Sequence, residues 1–186
     1  MKIQYSFLKN FLNTNLSQKK LSDVFTQVGF ECEIEGDLIE FDITPNRGDA
    51  LSLRGLEREF NAYQLIKSSH KLETSSLKLI QDKKIINRID GSGCGNYHLM
   101  LVKGLQKIKN LDSKKRSFIE SAGIPLINPL VDLGNYVMLE SGAPMHVFDL
   151  AKLALPINVC FPQDNNNSVT VIGGDLKDVK SSSLTI

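Results

Sequence analysis

Between positions 30 and 43 two β-type runs flank Glu35-Gly36-Asp37, and nothing else in the chain limits the fold as much. Phe30, Cys32 and Ile34 alternate with acidic residues, and 38–43 forms the second run. A period of two puts one side of each strand against a core, and the Gly-Asp pair suits a tight hairpin. Upstream, Leu16-Ser17 precedes Leu21, Val24, Phe25 and Val28, an i, i+3, i+4, i+7 stripe with a capping serine, and Gly29 stops that helix. Downstream, Thr44-Pro45-Asn46-Arg47-Gly48-Asp49 carries turn residues throughout. Asp49 or Ser52 then caps a helix whose stripe is Leu53, Leu56, Phe60 and Tyr63. A small helix and hairpin domain is expected to close near Ile66.

From 67 to about 82 the chain becomes polar and rich in Ser and Lys with no sustained apolar period, which marks a boundary. The second half opens with a β-like run at 97–102. A helix is expected from Asp112 to Ala122, ended by Gly123, and another from Pro129 to about Glu140 with Leu130, Leu133 and Val137 on one face. Short strands are expected at 157–161 and 169–172, separated by Asp164-Asn165-Asn166-Asn167 and trailed by Gly173-Gly174-Asp175. Ser183-Leu184-Thr185-Ile186 reads as one more strand beginning, so the second sheet is expected to be unfinished. The fold class is α+β: an N-terminal domain over 1–66, a linker over 67–87, and part of an α/β domain with a mixed or antiparallel sheet over 88–186.

Charge bounds the partners. With 22 basic and 21 acidic residues there is no strong overall field to draw the chain onto nucleic acid or an anionic membrane, so any RNA contact is local or shared. The three cysteines, Cys32, Cys94 and Cys160, are widely spaced and odd in number, which fits neither a disulfide framework nor a metal half-site; they read as small reduced core residues. Met1-Lys2-Ile3-Gln4-Tyr5 lacks the apolar run of a signal peptide, and no stretch has the length of a membrane span, so a soluble cytoplasmic protein is expected.

Catalytic spacings are few. The sequence holds no Walker loop, GxSxG elbow, HExxH or paired Cys or His ligands, and a chain without a phosphate cradle is not expected to activate ATP. The strongest candidate site is Asn135 with His146 and Asp149, because a histidine moves protons near neutral pH and an amide orients a water or a carbonyl. The same pattern suits a packed His146 with one satisfied ring nitrogen, and Asp149 suits a cap for the residues after it. Arg47 and Asp49 read either as phosphate and metal contacts or, with Asp42 and Asn46, as a turn held by an internal ion pair. Lys83-Lys84 and Lys114-Lys115-Arg116 read as RNA-backbone contacts or as solvated faces.

Two longer strings carry a resemblance. Phe41-Asp42-Ile43-Thr44-Pro45-Asn46-Arg47-Gly48-Asp49-Ala50-Leu51-Ser52, followed by Arg54-Gly55-Leu56-Glu57-Arg58-Glu59, resembles the segment closing the first domain of phenylalanine–tRNA ligase β subunits. Ile127-Asn128-Pro129-Leu130-Val131-Asp132-Leu133-Gly134-Asn135-Tyr136-Val137-Met138-Leu139-Glu140, with Gly142-Ala143-Pro144-Met145-His146-Val147-Phe148-Asp149-Leu150, resembles that family's editing-domain signature. The opening Tyr5-Ser6-Phe7-Leu8-Lys9 is also similar, with Phe7 where tryptophan is usual.

The resemblance implies an (αβ)2 heterotetramer that joins phenylalanine to its tRNA with ATP and magnesium. The α subunit holds the synthetic site. The β subunit contributes tRNA binding and hydrolysis of tyrosine wrongly attached to the phenylalanine tRNA. Such editing is needed because a mainly apolar pocket rejects an added hydroxyl only weakly. In that pocket Asn135 and His146 match lining positions, and no ATP or metal is expected on this chain. The sequence also departs from the family. Glu35-Gly36-Asp37 turns where an OB-type tRNA-binding domain is usually inserted, Pro129 and Gly134 replace an asparagine and a threonine, and Lys114 stands where tryptophan is common. The chain is expected to stop within the editing domain and to lack a complete editing site. A free-standing deacylase of mischarged tRNA and a non-catalytic tRNA- or protein-binding module are the alternative functions.

Overall fold

The computed structural model describes residues 1–65, 86–89, 93–95, 97–153, 155–161, 167–170 and 175–179. They fall into two compact units that interleave along the chain: Met1–Thr74 with Leu105–Val147, and Ser75–Gly104 with Phe148–Ile186.

The first unit is built on a three-stranded antiparallel sheet of order β1-β3-β2, with β1 at Lys2–Gln4, β2 at Glu31–Glu35 and β3 at Leu38–Asp42. Glu35 pairs with Leu38, so the hairpin loop is Gly36-Asp37, and Gly36 takes φ +59° at the first loop position. Alternation sorts the residues by face. Ile3, Ile39 and Phe41 point inward and are buried, while Glu31, Glu33, Glu40 and Asp42 share the opposite face.

Helices cover the inner face. α1 (Tyr5–Phe11) leaves β1 without a break, and α2 (Gln18–Gln27) is capped by Ser17, buries Leu21 and Phe25, and ends at Gly29 with φ +99°. A 3₁₀ turn over Pro45–Ala50 leads into α3 (Leu53–Tyr63). Ser52 caps α3 by accepting from the Gly55 amide at 3.0 Å, and Leu53, Leu56 and Phe60 are buried. Tyr63, expected in that stripe, stays exposed and donates from its hydroxyl to Gln27 Oε1 at 2.6 Å. Gly55 is required by close approach: a Cβ there would lie 2.2 Å from the Asp49 carbonyl oxygen.

α4 (Ser113–Ser121) and α5 (Pro129–Ser141) belong to this unit too, so the spatial grouping differs from the sequential division at 66 and 88. The cause is a shared core. Phe118, fully buried, stacks on Phe7 with centroids 4.4 Å apart and meets Tyr136 edge-on at 6.3 Å. Gln4 Nε2 donates to Ser117 Oγ at 2.9 Å. The α4 and α5 limits match the expected helices, with Asp112 and Asn128 as caps and Gly123 and Gly142 at positive φ.

The buried face of α5 was expected to be Leu130, Leu133 and Val137, and the structure corrects this. Leu133 is 44% exposed, whereas Asp132 is buried and Tyr136 and Leu139 pack against the core. Apolar residues lie on every side of this helix, so periodicity alone cannot choose a face. Asp132 is accommodated because its Oδ1 accepts the Ile127 amide at 2.8 Å.

The second unit is described by itself. β4 (Ile86–Ile89) pairs in parallel with β5 (Ile157–Val159), and β6 (Asn167–Thr170) pairs antiparallel with β7 (Leu176–Val179). Its buried apolar side chains among the described residues are Ile157, Val159 and Val179. The run at 97–102 forms no strand, and Met100, Leu101 and Val102 are exposed. A strand exists only when another chain segment takes its backbone groups, and none of the described residues does so here. The expectations for 67–82, 162–166, 171–174 and 183–186 lie outside the described residues. The protein combines helices with small sheets, an α+β class.

Candidate functional site

Of the three residues proposed for chemistry, Asn135 and His146 lie in the first unit and Asp149 in the second. Asn135 sits on α5, half-buried, one position after Gly134. Residues 143–147 pass back by the helix at that point. A Cβ built on Gly134 would touch Met145 Cβ at 3.9 Å and Val147 Cγ2 at 4.0 Å. Met145 and Val147 therefore lie near Gly134, with His146 between them in the chain. His146 is exposed. Asp149 begins the second unit, where its Oδ1 accepts the Ala151 amide at 3.0 Å and caps a 3₁₀ turn over Leu150–Lys152.

The far end of α5 is tied to α3. Arg54 Nη2 donates to Glu140 Oε1 at 2.7 Å, and the left-handed Gly142 fits against Ser52, where an added Cβ would meet the serine Cβ at 3.4 Å. Burial, and then the Glu140 carboxylate, push the Tyr136 phenol well above its ordinary range. Tyr136 is therefore a neutral donor at any physiological pH. Sequence reasoning did not single out Arg54, Tyr136 or Glu140, because positions 54 and 140 become neighbours only through tertiary packing.

The turn residues take a different arrangement. Arg47 donates through Nε to Asp49 Oδ1 at 3.0 Å and through Nη2 to Glu59 Oε1 at 2.9 Å, while its guanidinium lies 5.1 Å from the Phe30 ring centroid. Arg58 also pairs with Asp49. The hydrogen bond from Arg47 holds the Asp49 carboxyl below its usual range. Asn46 and Asp42 are exposed, the first in the 3₁₀ turn and the second at the end of β3. These charges neutralise one another across the turn.

Of the basic runs, Lys83-Lys84 lies outside the described residues. Lys115 is engaged by Asp112 at 2.6 Å and by the Tyr136 ring at 5.6 Å. Lys114 is exposed on a small groove with Gln4, Phe7 and Ser117. The three cysteines form no disulfide and are partly, not fully, buried. Burial pushes the Cys32 thiol up to about 11, so it carries little thiolate at neutral pH. No group of three His, Cys, Asp or Glu side chains among the described residues can hold a metal ion, and none of the described helices is long and apolar enough to cross a membrane.

The sequence model of the B3/4 domain matches residues 93–186, from ahead of α4 through β7. The chain belongs to the B3/4 domain family. Its curated relatives are phenylalanine–tRNA ligase β subunits. That of Mannheimia succiniciproducens is 34% identical over 149 residues, covering 80% of this chain and 18% of the relative. That of Francisella tularensis is 36% identical over 151 residues, covering 80% and 19%. That of Aquifex aeolicus is 36% identical over 138 residues, covering 73% and 17%. The chain thus spans less than a fifth of the length of these relatives. The B3/4 match crosses both units, since 105–147 groups with the N-terminal residues and 148–186 with 75–104.

Proposed function

We propose that this chain supplies the N-terminal part of a phenylalanine–tRNA ligase β subunit, as two domains over 1–66 and 88–186 joined at 67–87. In this reading it assembles with an α subunit into an (αβ)2 heterotetramer in the cytoplasm, helps bind the phenylalanine tRNA, and contributes to hydrolysis of tyrosine mischarged on that tRNA. The observation that carries the proposal is the likeness to β subunits over most of the chain.

The local geometry around Gly134 supports the editing part. Asn135 follows Gly134 on α5, and Met145 and Val147, on either side of His146 in the chain, lie against that glycine. An amide can orient a water or an ester carbonyl, and a histidine can move a proton near neutral pH. ATP and magnesium belong to the α subunit in this proposal, and no step here is routed through them.

The test is deacylation of tyrosyl-tRNA of the phenylalanine type by the chain co-expressed with an α subunit. Loss of roughly tenfold or more in rate for Asn135→Ala and His146→Ala, with unchanged assembly, is the expected result. Assembly without deacylation would leave the non-catalytic binding module. Deacylation that needs no α subunit would favour a free-standing hydrolase.

A further inference from the structure

β2 closes one side of the sheet, and its pairing with β3 determines which of its backbone groups are free. A loop of Gly36-Asp37 makes Glu35 and Leu38 the hydrogen-bonded closing pair, so Glu31, Glu33 and Glu35 exchange bonds with β3. The amides and carbonyls of Cys32 and Ile34 then point to the outer edge. Among the described residues no other segment bonds to them. The space beside Glu31, Cys32 and Glu33 is an open concavity of about 820 Å³ with Thr26 and Leu51 on its wall. Ile34 is 45% exposed.

The charge on this sheet narrows the occupant. Glu31 lies opposite Asp42 and Glu33 opposite Glu40, like charges in direct register, which destabilises a sheet. Lys2 is the cation that meets this face, at 3.1 Å from Glu40 and 3.6 Å from Glu35, leaving Glu31, Glu33 and Asp42 without a counter-ion among the described residues. Nucleic acid is repelled here by its phosphates. A second copy of β2 is repelled as well, since pairing the two edges sets glutamates beside glutamates. Charged edges guard against association of this like-with-like kind. They give no protection against a strand of opposite charge.

We infer that β2 is the docking edge for an extended segment of a partner protein with lysine or arginine at every second position and apolar residues between. The segment adds as a fourth strand. Its cations lie over Glu31, Glu33 and Asp42, and its apolar side chains lie beside Cys32 and Ile34. The inference does not depend on editing chemistry, and its failure would leave the proposed function untouched.

The experiment is fluorescence anisotropy of a labelled peptide alternating lysine with valine, titrated with the whole chain. Saturable binding is expected, weakened roughly tenfold or more by Glu33→Lys. Ile34→Pro should weaken it as much with no change of charge, because proline removes an outward amide while the bonds to β3 remain. A peptide of the same composition in separate lysine and valine blocks should bind less well. Equal binding of the block peptide, or unchanged binding by Ile34→Pro, would reduce the effect to loose charge attraction and overturn the proposal. Should Ile34→Pro misfold by circular dichroism, amide exchange at Cys32 and Ile34 decides: the peptide must slow it, and no slowing overturns the proposal.

Discussion

The first unit closes its core with aromatic rings drawn from distant stretches of sequence, among them Phe7, Phe25, Phe41, Phe60 and Phe118, all but Phe7 buried. The described part of the second unit has two strand pairs, three buried aliphatic side chains, and exposed Met100, Leu101 and Val102. Each buried aromatic contributes about 1.5–3 kcal/mol, so these rings are a large part of what holds the first unit together. The contrast teaches where the B3/4 region draws its order. Its two helices are anchored on residues from the other end of the chain.

That contrast is sharpened most by Phe118→Ala. It should cost about 3–5 kcal/mol in chemical denaturation, because the cavity lies between Phe7 and Tyr136; a loss no larger than a surface substitution gives would break the comparison. Gly55→Ala comes next, at about 1–3 kcal/mol, since the new methyl meets the backbone of Asp49 and Ala50. Val159→Ala in the second unit should cost about 1–2 kcal/mol and speed amide exchange around β5, with protection of β3 unchanged. If β3 opened equally, the two units would not be separate in stability.

Gly134→Ala should act in the opposite sense. Its methyl would make ordinary contacts with Met145 and Val147, and relief of a mid-helix glycine gives a gain of about 0.5–1 kcal/mol in the denaturation midpoint. The smallest effect concerns pH. The Lys115 side chain, and then its backbone amide, hold the Asp112 carboxyl below its ordinary 3.8. A lowered folded-state value means that this stabilisation is fully present above 3.8 and fades as pH falls through the folded value. The stability difference between the wild type and Asp112→Asn should therefore be flat at neutral pH and shrink in acid; a difference that grew in acid would contradict the assignment.

Much of the first unit was legible before any coordinates. The hairpin at Gly36, the caps at Ser17 and Ser52, and the helix ends at Gly29 and Gly123 depend on residues within a few positions of each other, and local sterics and capping decide them. The candidate site was legible only as strings. That Met145 and Val147, on either side of His146, meet α5 beside Asn135 follows from the return of the 143–147 segment.

The sequence by itself determined the local elements, the charge alternation of β2 and the likeness to β subunits. Tertiary structure alone decided that α4 and α5 join the N-terminal core, that α5 buries Asp132, Tyr136 and Leu139 in place of Leu133, that Arg54 meets Glu140, and that 97–102 stays out of a sheet among the described residues. The physical reason is range. A cap or a turn is satisfied by its neighbours in the chain, whereas a helix apolar on all sides and a strand with free backbone groups take their places from whatever distant surface the fold brings to them.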